Sequence, residues 1–308
     1  MERVIVLPGI GGFEDKEKSS IQKTGIRIAD GIMYTLIYVS AGIAVALLIG
    51  MLGYVLARGV SEVNWTFLTT VTSVLKGTTG IAGNILNTIY MVALTLLIAA
   101  PIGIGSAIYL NEYAKAGKIV KIIQFTTETL SGIPSIIFGL FGMVFFGTTL
   151  GFGYSILTGA LTLTLMILPL IIGNTREALK TVPDSYRQGA IGIGATKWYM
   201  IRTILLPSAM PGIVTGVILA VGRIVGESAA LLFTAGSGYL LPGNAKGYFS
   251  KIFESGGTLT IELYLSMAKA NYDTAFGIAV VLLVIVFFTN LFTKTLIGKW
   301  SDYGKNKD

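Results

Sequence analysis

Arg223 and Glu227 are the two ionisable residues of one long apolar run, Pro211 to Phe233, and they stand four residues apart. On a continuous helix that spacing puts both on one face, close enough to pair. Counting about 1.5 Å per residue from Ile213 puts Arg223 about 15 Å deep, near the middle of a roughly 30 Å apolar core. A charge at that depth costs at least about 2.5 to 3.5 kcal/mol, so it must face protein or water. Two readings stay open. The pair can be a structural ion pair that holds a bundle together. Alternatively it lines a path for an anion, because Arg presents a fork matched to phosphate oxygens and Glu227 can hold that fork or help release the anion. Gly212 and Gly216, then Gly222 and Gly226, have GxxxG spacing, and Ala220 and Ala230 extend the two rows. Those faces are expected to seat two neighbouring helices, with a gate hinge as the alternative.

Other chemistries are excluded by what is missing. With no Cys and no His there is no disulfide, thiolate nucleophile, His base or zinc site of the usual kind. The Gly-Lys pairs at 117, 298 and 304 are followed by Ile, Trp and Asn, so no phosphate-cradling loop occurs. No metal, no cofactor and no catalytic residue is expected; any ATP would be hydrolysed by another chain.

The elements that must position Arg223 and Glu227 follow from composition. The chain has 308 residues, 53% apolar and only 13% charged, and a mean hydropathy of +0.75. An ordinary soluble enzyme and a disordered chain are both excluded, and lipid becomes part of the solvent. Six runs are long enough to cross a membrane: Ile32 to Leu56, Ile85 to Leu110, Leu130 to Phe146, Tyr154 to Ile172, Pro211 to Phe233 and Ala275 to Thr293. The first follows about 30 residues rich in charge and exceeds a signal-peptide core, so it is expected to be retained. Ser131-Gly-Ile-Pro134 reads as a kink or re-entrant break at the start of the third run.

Charge placement sets the direction. Seventeen Lys and Arg fall on one side of these runs and five on the other, which places both termini in the cytoplasm. The net charge of +7 is thereby explained without nucleic acid. The expected organisation is all-α and integral to the cell membrane: a cytoplasmic tail over 1–27, a six-helix transmembrane domain over 28–300, and a second cytoplasmic tail over 301–308. Within the domain, 173–210 forms a cytoplasmic loop and 234–274 an external one, with a short helix from Thr258 to Ala270. The external loop is read as a cap or a docking surface.

The 173–210 loop is the most informative stretch. Thr181 can cap a helix, with Pro183 in its first turn and Asp184 in capping-box spacing. That helix carries Ser185, Tyr186, Arg187 and Gln188 and ends at the glycines of the run Gly189-Ala190-Ile-Gly-Ile-Gly194. Thr196 can cap a second helix with Lys197, Trp198, Tyr199 and Arg202, closed by Leu206-Pro207. Two short helices with an aromatic and basic surface suit docking to a partner or resting in lipid headgroups.

The run Gln188-Gly-Ala190, three residues, Gly194, nine residues, Ile204-Leu-Leu-Pro207 resembles the EAA loop of ABC-transporter permeases, with Gln and Gly in place of Glu and Ala at the first two positions. Asn87-Thr-Ile-Tyr90, Pro101 to Gly105, Ala107 to Tyr113, Ser131 to Gly142 and Arg223 to Thr234 resemble the phosphate-specific ABC permease of the PstA type, over roughly Gly83 to Gly236. The resemblance implies a type I importer fold and a contact from about Pro183 to Ala190 with an ATP-hydrolysing subunit. It also implies a sister permease forming a heterodimer, a dimer of ATP-binding cassette subunits and an external phosphate-binding protein. Transport of phosphate by alternating access follows as an expectation. Another oxyanion such as molybdate or sulfate, the sister PstC-type subunit, and a stand-alone secondary transporter stay as alternatives.

Overall fold

Inside lipid, backbone polar groups must be satisfied within the segment, so apolar runs of this length form helices. A computed structural model describes residues 12–73, 77–115 and 117–305, and within them 81% of the chain or thereabouts is helical. The far ends of the two expected tails, 1–11 and 306–308, lie outside the described residues. The chain divides into two compact units after Leu56. The first contains most of helix α1 (Gly12–Gly59), which is already helical through the stretch that reads as a tail.

The second unit takes up the end of α1 and a 3-10 turn over Val60–Glu62, then a short helix α2 (Trp65–Thr69) and a hairpin, β1 (Val71–Ser73) against β2 (Thr78–Ile81), antiparallel with Val71 opposite Ile81. There follow α3 (Ala82–Ile108), which closes in a π turn over Tyr109–Tyr113, α4 (Lys118–Ser131) and α5 (Ser135–Gly142), which closes in a π turn over Met143–Thr149. Then come α6 (Ile156–Lys180), α7 (Asp184–Gly192), α8 (Lys197–Met200) and α9 (Leu206–Gly226), with a π turn over Ile201–Leu205 joining the last two. The chain ends with α10 (Ala229–Thr234), α11 (Ala245–Ser250), α12 (Leu259–Ala268) and α13 (Tyr272–Lys305).

Among the described residues, five helices are long and apolar enough to cross a membrane, and α4 with α5 forms an apolar pair bent by 103°, a broken span or a re-entrant loop. The bend falls at Gly132-Ile-Pro134, where Pro134 cannot donate a backbone hydrogen bond. Leu130 and Ser131, read from sequence as the start of the third span, therefore end α4 instead. The fifth expected span, Pro211 to Phe233, is also corrected. Its helix stops at Gly226 and Glu227 is extended, φ −81° and ψ 125°.

α6 sits at the centre. Leu163, Met166, Ile167 and Ile171 are buried with Met91 and Ala99 of α3, Phe138 of α5, Ala220 and Ile224 of α9, and Leu231 of α10. An added Cβ on Gly103 would lie 2.7 Å from Ile171 Cγ2, so α3 and α6 approach as only a glycine permits.

At the end of the bundle away from α7, side chains of α3 hold the segment between α10 and α12. Asn84 and Asn87 each donate to the carbonyl of Gly257 at 3.1 Å, and Asn87 also donates to that of Gly238 at 2.8 Å. The Leu259 N–H donates to Thr88 Oγ1, and the Tyr90 hydroxyl to the Tyr248 carbonyl, both at 3.0 Å. Three of these four residues lie in Asn87-Thr-Ile-Tyr90, and their physical task is to pair backbone groups of this loop, the carbonyls of Gly257, Gly238 and Tyr248 and the N–H of Leu259.

Glu262 of α12 is half-buried, and burial raises its pKa against smaller opposing effects of Lys269 and Ser266. At a pH below the unfolded carboxylate value of about 4.3, both states are protonated and nothing is lost. As pH rises through the raised folded value, ionisation erodes stability. Glu262→Gln is therefore expected to raise the thermal midpoint of the detergent-solubilised protein at neutral pH, with the gain vanishing near pH 4. A gain that does not change with pH would contradict this.

Candidate functional site

The break after α9 decides the geometry around Arg223 and Glu227. Gly226 is a weak helix residue, and Glu227 is captured by groups beyond the helix. The Ala230 N–H donates to Glu227 Oε1 at 3.1 Å, and Thr260 Oγ1 donates to the Glu227 carbonyl at 2.9 Å. Glu227 thus caps α10 and ties α12 to it, buried to 9% exposure. The pairing expected from four-residue spacing does not form, because Glu227 is no longer on the helix that carries Arg223.

Arg223 is left exposed, with no hydrogen bond or ion pair among the described residues. It lies beside an exposed stripe of α9: Ser208, Pro211, Thr215, Leu219, Gly222 and Gly226. Five of those six are small or polar, a composition unlike that of a lipid-facing surface. The opposite face of α9 packs on α6. An added Cβ at Gly212 would lie 2.6 Å from Ala178 Cβ, and one at Gly216 would lie 2.6 Å from Asn174 Cβ. Gly222 and Gly226 have nothing within 4 Å of such a Cβ, so this second GxxxG row seats no neighbour among the described residues.

The second region is the α7–α8 unit. Thr181 does not cap α7; its hydroxyl donates to the Ala178 carbonyl at 2.8 Å, ending α6. Pro183 takes the N-cap position and Asp184 is the first helical residue. The fixed φ of Pro183 sets the chain for helix entry without a side-chain bond. Thr196 does cap α8, accepting from the Tyr199 N–H at 3.3 Å. Between them Gly194 adopts φ +79°, the left-handed conformation that follows a helix end.

The two helices show two faces. Ala190, Met200, Ile201 and Leu205 are buried with Ala178, Leu179 and Val182 of the α6 end and Ala209 and Ile213 of α9. Pro183, Asp184, Ser185, Tyr186, Gln188, Gly189 and Gly194 are exposed. Ile191 and Ile193, not singled out from the sequence, are 67% and 82% exposed, and Trp198 and Tyr199 are 60% and 55% exposed. An apolar and aromatic patch of this kind on a polar helix pair suits a partner protein or the lipid headgroup layer.

Arg187 turns inward. Its Nη2 donates to Glu112 Oε1 and to the Leu179 carbonyl, and its Nη1 to the Val182 carbonyl and Asp184 Oδ1, each at 3.0 Å. The hydrogen bond to Glu112, helped by the charges of Glu112 and Asp184, holds the guanidinium above its ordinary pKa despite partial burial. Lys197 Nζ lies 5.0 Å from the centre of the Tyr113 ring. Local sequence assigns Glu112 no role; its signal is that of a lone acid ending an apolar run, with basic residues in the next loop. Arg176 of α6 also carries a buried Nε without a hydrogen-bond partner among the described residues.

With this geometry in hand, comparison with known proteins is decisive for the family. The model of the binding-protein-dependent transport system inner membrane component matches residues 99–300. The chain belongs to this family. The matched region contains the π turn at Tyr109–Tyr113, the α7–α8 unit and Arg223. A probable ABC transporter permease protein, YqgI, of Bacillus subtilis is 39% identical over 210 residues, 68% of this chain and 71% of that protein. The phosphate transport system permease protein PstA 1 of Mycobacterium tuberculosis (strain CDC 1551 / Oshkosh) is 30% identical over 277 residues, 86% of this chain and 87% of that protein. Among solved structures, a bacterial alginate ABC transporter in complex with an alginate pentasaccharide-bound periplasmic protein aligns with TM-score 0.59 at 18% identity, covering 93% of this chain and 98% of that one. The MetNI methionine ABC transporter aligns with TM-score 0.54 at 19% identity, covering 72% and 94%. The permease fold is that of a type I ABC importer, and the protein is a multi-pass membrane protein and a transport subunit.

Proposed function

We propose that this permease carries inorganic phosphate across the cell membrane as one half of an ATP-driven importer. It pairs with a sister permease, two ATP-binding cassette subunits and an external phosphate-binding protein. The α7 end faces the cytoplasm, in keeping with the excess of Lys and Arg in the segments at that end. The observation that carries the reading is Arg223: a guanidinium without a protein partner among the described residues, beside a small and polar stripe of a membrane helix. An Arg in that setting is available to bind an oxyanion through its fork. The names of relatives that align along most of the chain, several of them phosphate transport permeases, point to phosphate. ATP binding and hydrolysis in the partner move α7 and α8, and the stripe of α9 opens alternately to each side with the facing surface of the sister subunit. Glu227 holds α10 and α12 in place at the outer end of this path. The segment from Gly236 to Phe253 is the surface offered to the binding protein.

The test is uptake of radiolabelled phosphate into vesicles that contain this chain with its sister permease, ATPase and binding protein. Uptake should need ATP and every component, and excess molybdate or sulfate should leave it unchanged. Uptake by this chain alone without ATP would overturn the importer reading, and full competition by molybdate or sulfate would overturn the choice of phosphate.

A further inference from the structure

We propose that Glu112 is a positioning residue that makes α7 move together with α3, through its ion pair with Arg187. This rests on the importer reading and adds to it a residue outside the α7–α8 unit. Four ion pairs are present among the described residues, and three of them join residues three apart. Glu112–Arg187 alone joins distant segments, 75 residues apart. It is also the pair with both ends shielded, at 5% exposure for the Glu112 side chain and 19% for Arg187.

Its place is mechanically specific. α7 is connected to α6 through Thr181–Pro183 and to α8 through Ile193–Thr196. The second connection contains Gly194 at φ +79°. Short links built on glycine absorb rotation, so a push on α7 could be spent in them before it reached a membrane helix. The guanidinium prevents this by gripping three elements at once: Glu112 at the end of α3, the Leu179 and Val182 carbonyls at the end of α6, and Asp184 within α7 itself. The grip is rigid because Arg's planar fork fixes direction as well as distance. On the α3 side, Asn111 Nδ2 donates to the same Glu112 Oε1 at 2.8 Å and holds the carboxylate in place. The π turn at Tyr109–Tyr113 ends with the Ala114 N–H donating to the Tyr109 carbonyl. That wider turn presents Glu112 to α7 and Tyr113 to Lys197 of α8, so both short helices are tied to one turn of α3.

A residue that only stabilises the loop would weaken assembly, ATP hydrolysis and uptake together. A tether separates them. In the full importer complex, Glu112→Gln is expected to keep ATP hydrolysis near that of the parent while the phosphate taken up per ATP falls by about tenfold. Glu177→Gln breaks the exposed pair with Lys180 within α6 and should leave that ratio unchanged. Because the chain has no cysteine, Glu112→Cys with Arg187→Cys can be joined by a bis-thiosulfonate reagent, each thiolate forming a reducible disulfide and displacing a sulfinate, with no other cysteine of this chain to react. Cross-linking should restore the ratio and reduction should abolish it. Equal loss of hydrolysis and uptake in Glu112→Gln, or no rescue by the cross-link, would overturn the tether. A parent complex that shows no ATP-dependent uptake would be a failure of the importer reading. Hydrogen exchange over Asp184–Gly192 in the purified chain tests the tether whatever the cargo. Faster exchange in Glu112→Gln is expected, and unchanged exchange would refute it.

Discussion

Arg223→Lys in the importer complex is expected to leave assembly intact and to lower ATP-dependent phosphate uptake by about tenfold or more, the equivalent of one lost strong contact of about 1.4 kcal/mol. Assembly should survive because Arg223 is exposed and holds no group among the described residues. Transport should suffer because lysine keeps the positive charge but loses the planar pair of donors that meets two oxyanion oxygens at once. The comparison with Arg223→Ala makes the point sharper. If charge alone matters, lysine should behave like the parent and alanine should not. If the fork matters, both should fail. Near-normal uptake by Arg223→Lys would remove Arg223 from the anion path.

Ile193→Glu is expected to weaken binding of the ATPase subunit by about thirtyfold or more, because loss of a hot-spot contact costs 2 kcal/mol or above. Ile193 is 82% exposed at the tip of the α7–α8 unit, so the folded chain should tolerate glutamate with a change of about 0.5 kcal/mol or less. In a docked complex the same carboxylate would be desolvated against an apolar groove without a partner. A titration of the ATPase subunit onto the detergent-solubilised permease measures the loss directly. Unchanged affinity would move the contact away from Ile191 and Ile193.

Much of this architecture is legible in the sequence because the signals are local. Six apolar runs of bilayer length, the break at Ser131–Pro134 and the Thr196 cap all follow from neighbouring residues. What was not legible depends on distant partners. Gly226-Glu227-Ser228 lies inside an apolar run and reads as helix, yet the break is fixed by Thr260, 33 residues away. Spacing placed Glu227 beside Arg223, whereas the Ala230 N–H and Thr260 hold it elsewhere. Glu112 and Arg187 are each ordinary in their own segments and acquire meaning only when α3 and α6 bring them together. The hairpin at Val71–Ile81 is too short to leave a period in the sequence. Thr181 shows the opposite failure, a local capping pattern overridden because the preceding helix runs through to Lys180 and uses the hydroxyl for its own end.

The central position of α6 has a consequence for how the bilayer acts on the protein. Of its most apolar stretch 61% is buried inside the fold, against 28% for the stretch within Ala82–Tyr113. A change in acyl-chain length is met by helices that touch lipid, which tilt to match the new thickness. α6 is sheathed by α3, α5, α9 and α10, and the glycine backbones at Gly103 and Gly216 lie directly against its Ile171 and Asn174 side chains, so it has no slack to slide or tilt by itself. Membrane thickness and fluidity therefore act on the outer helices, which adjust around a fixed axle.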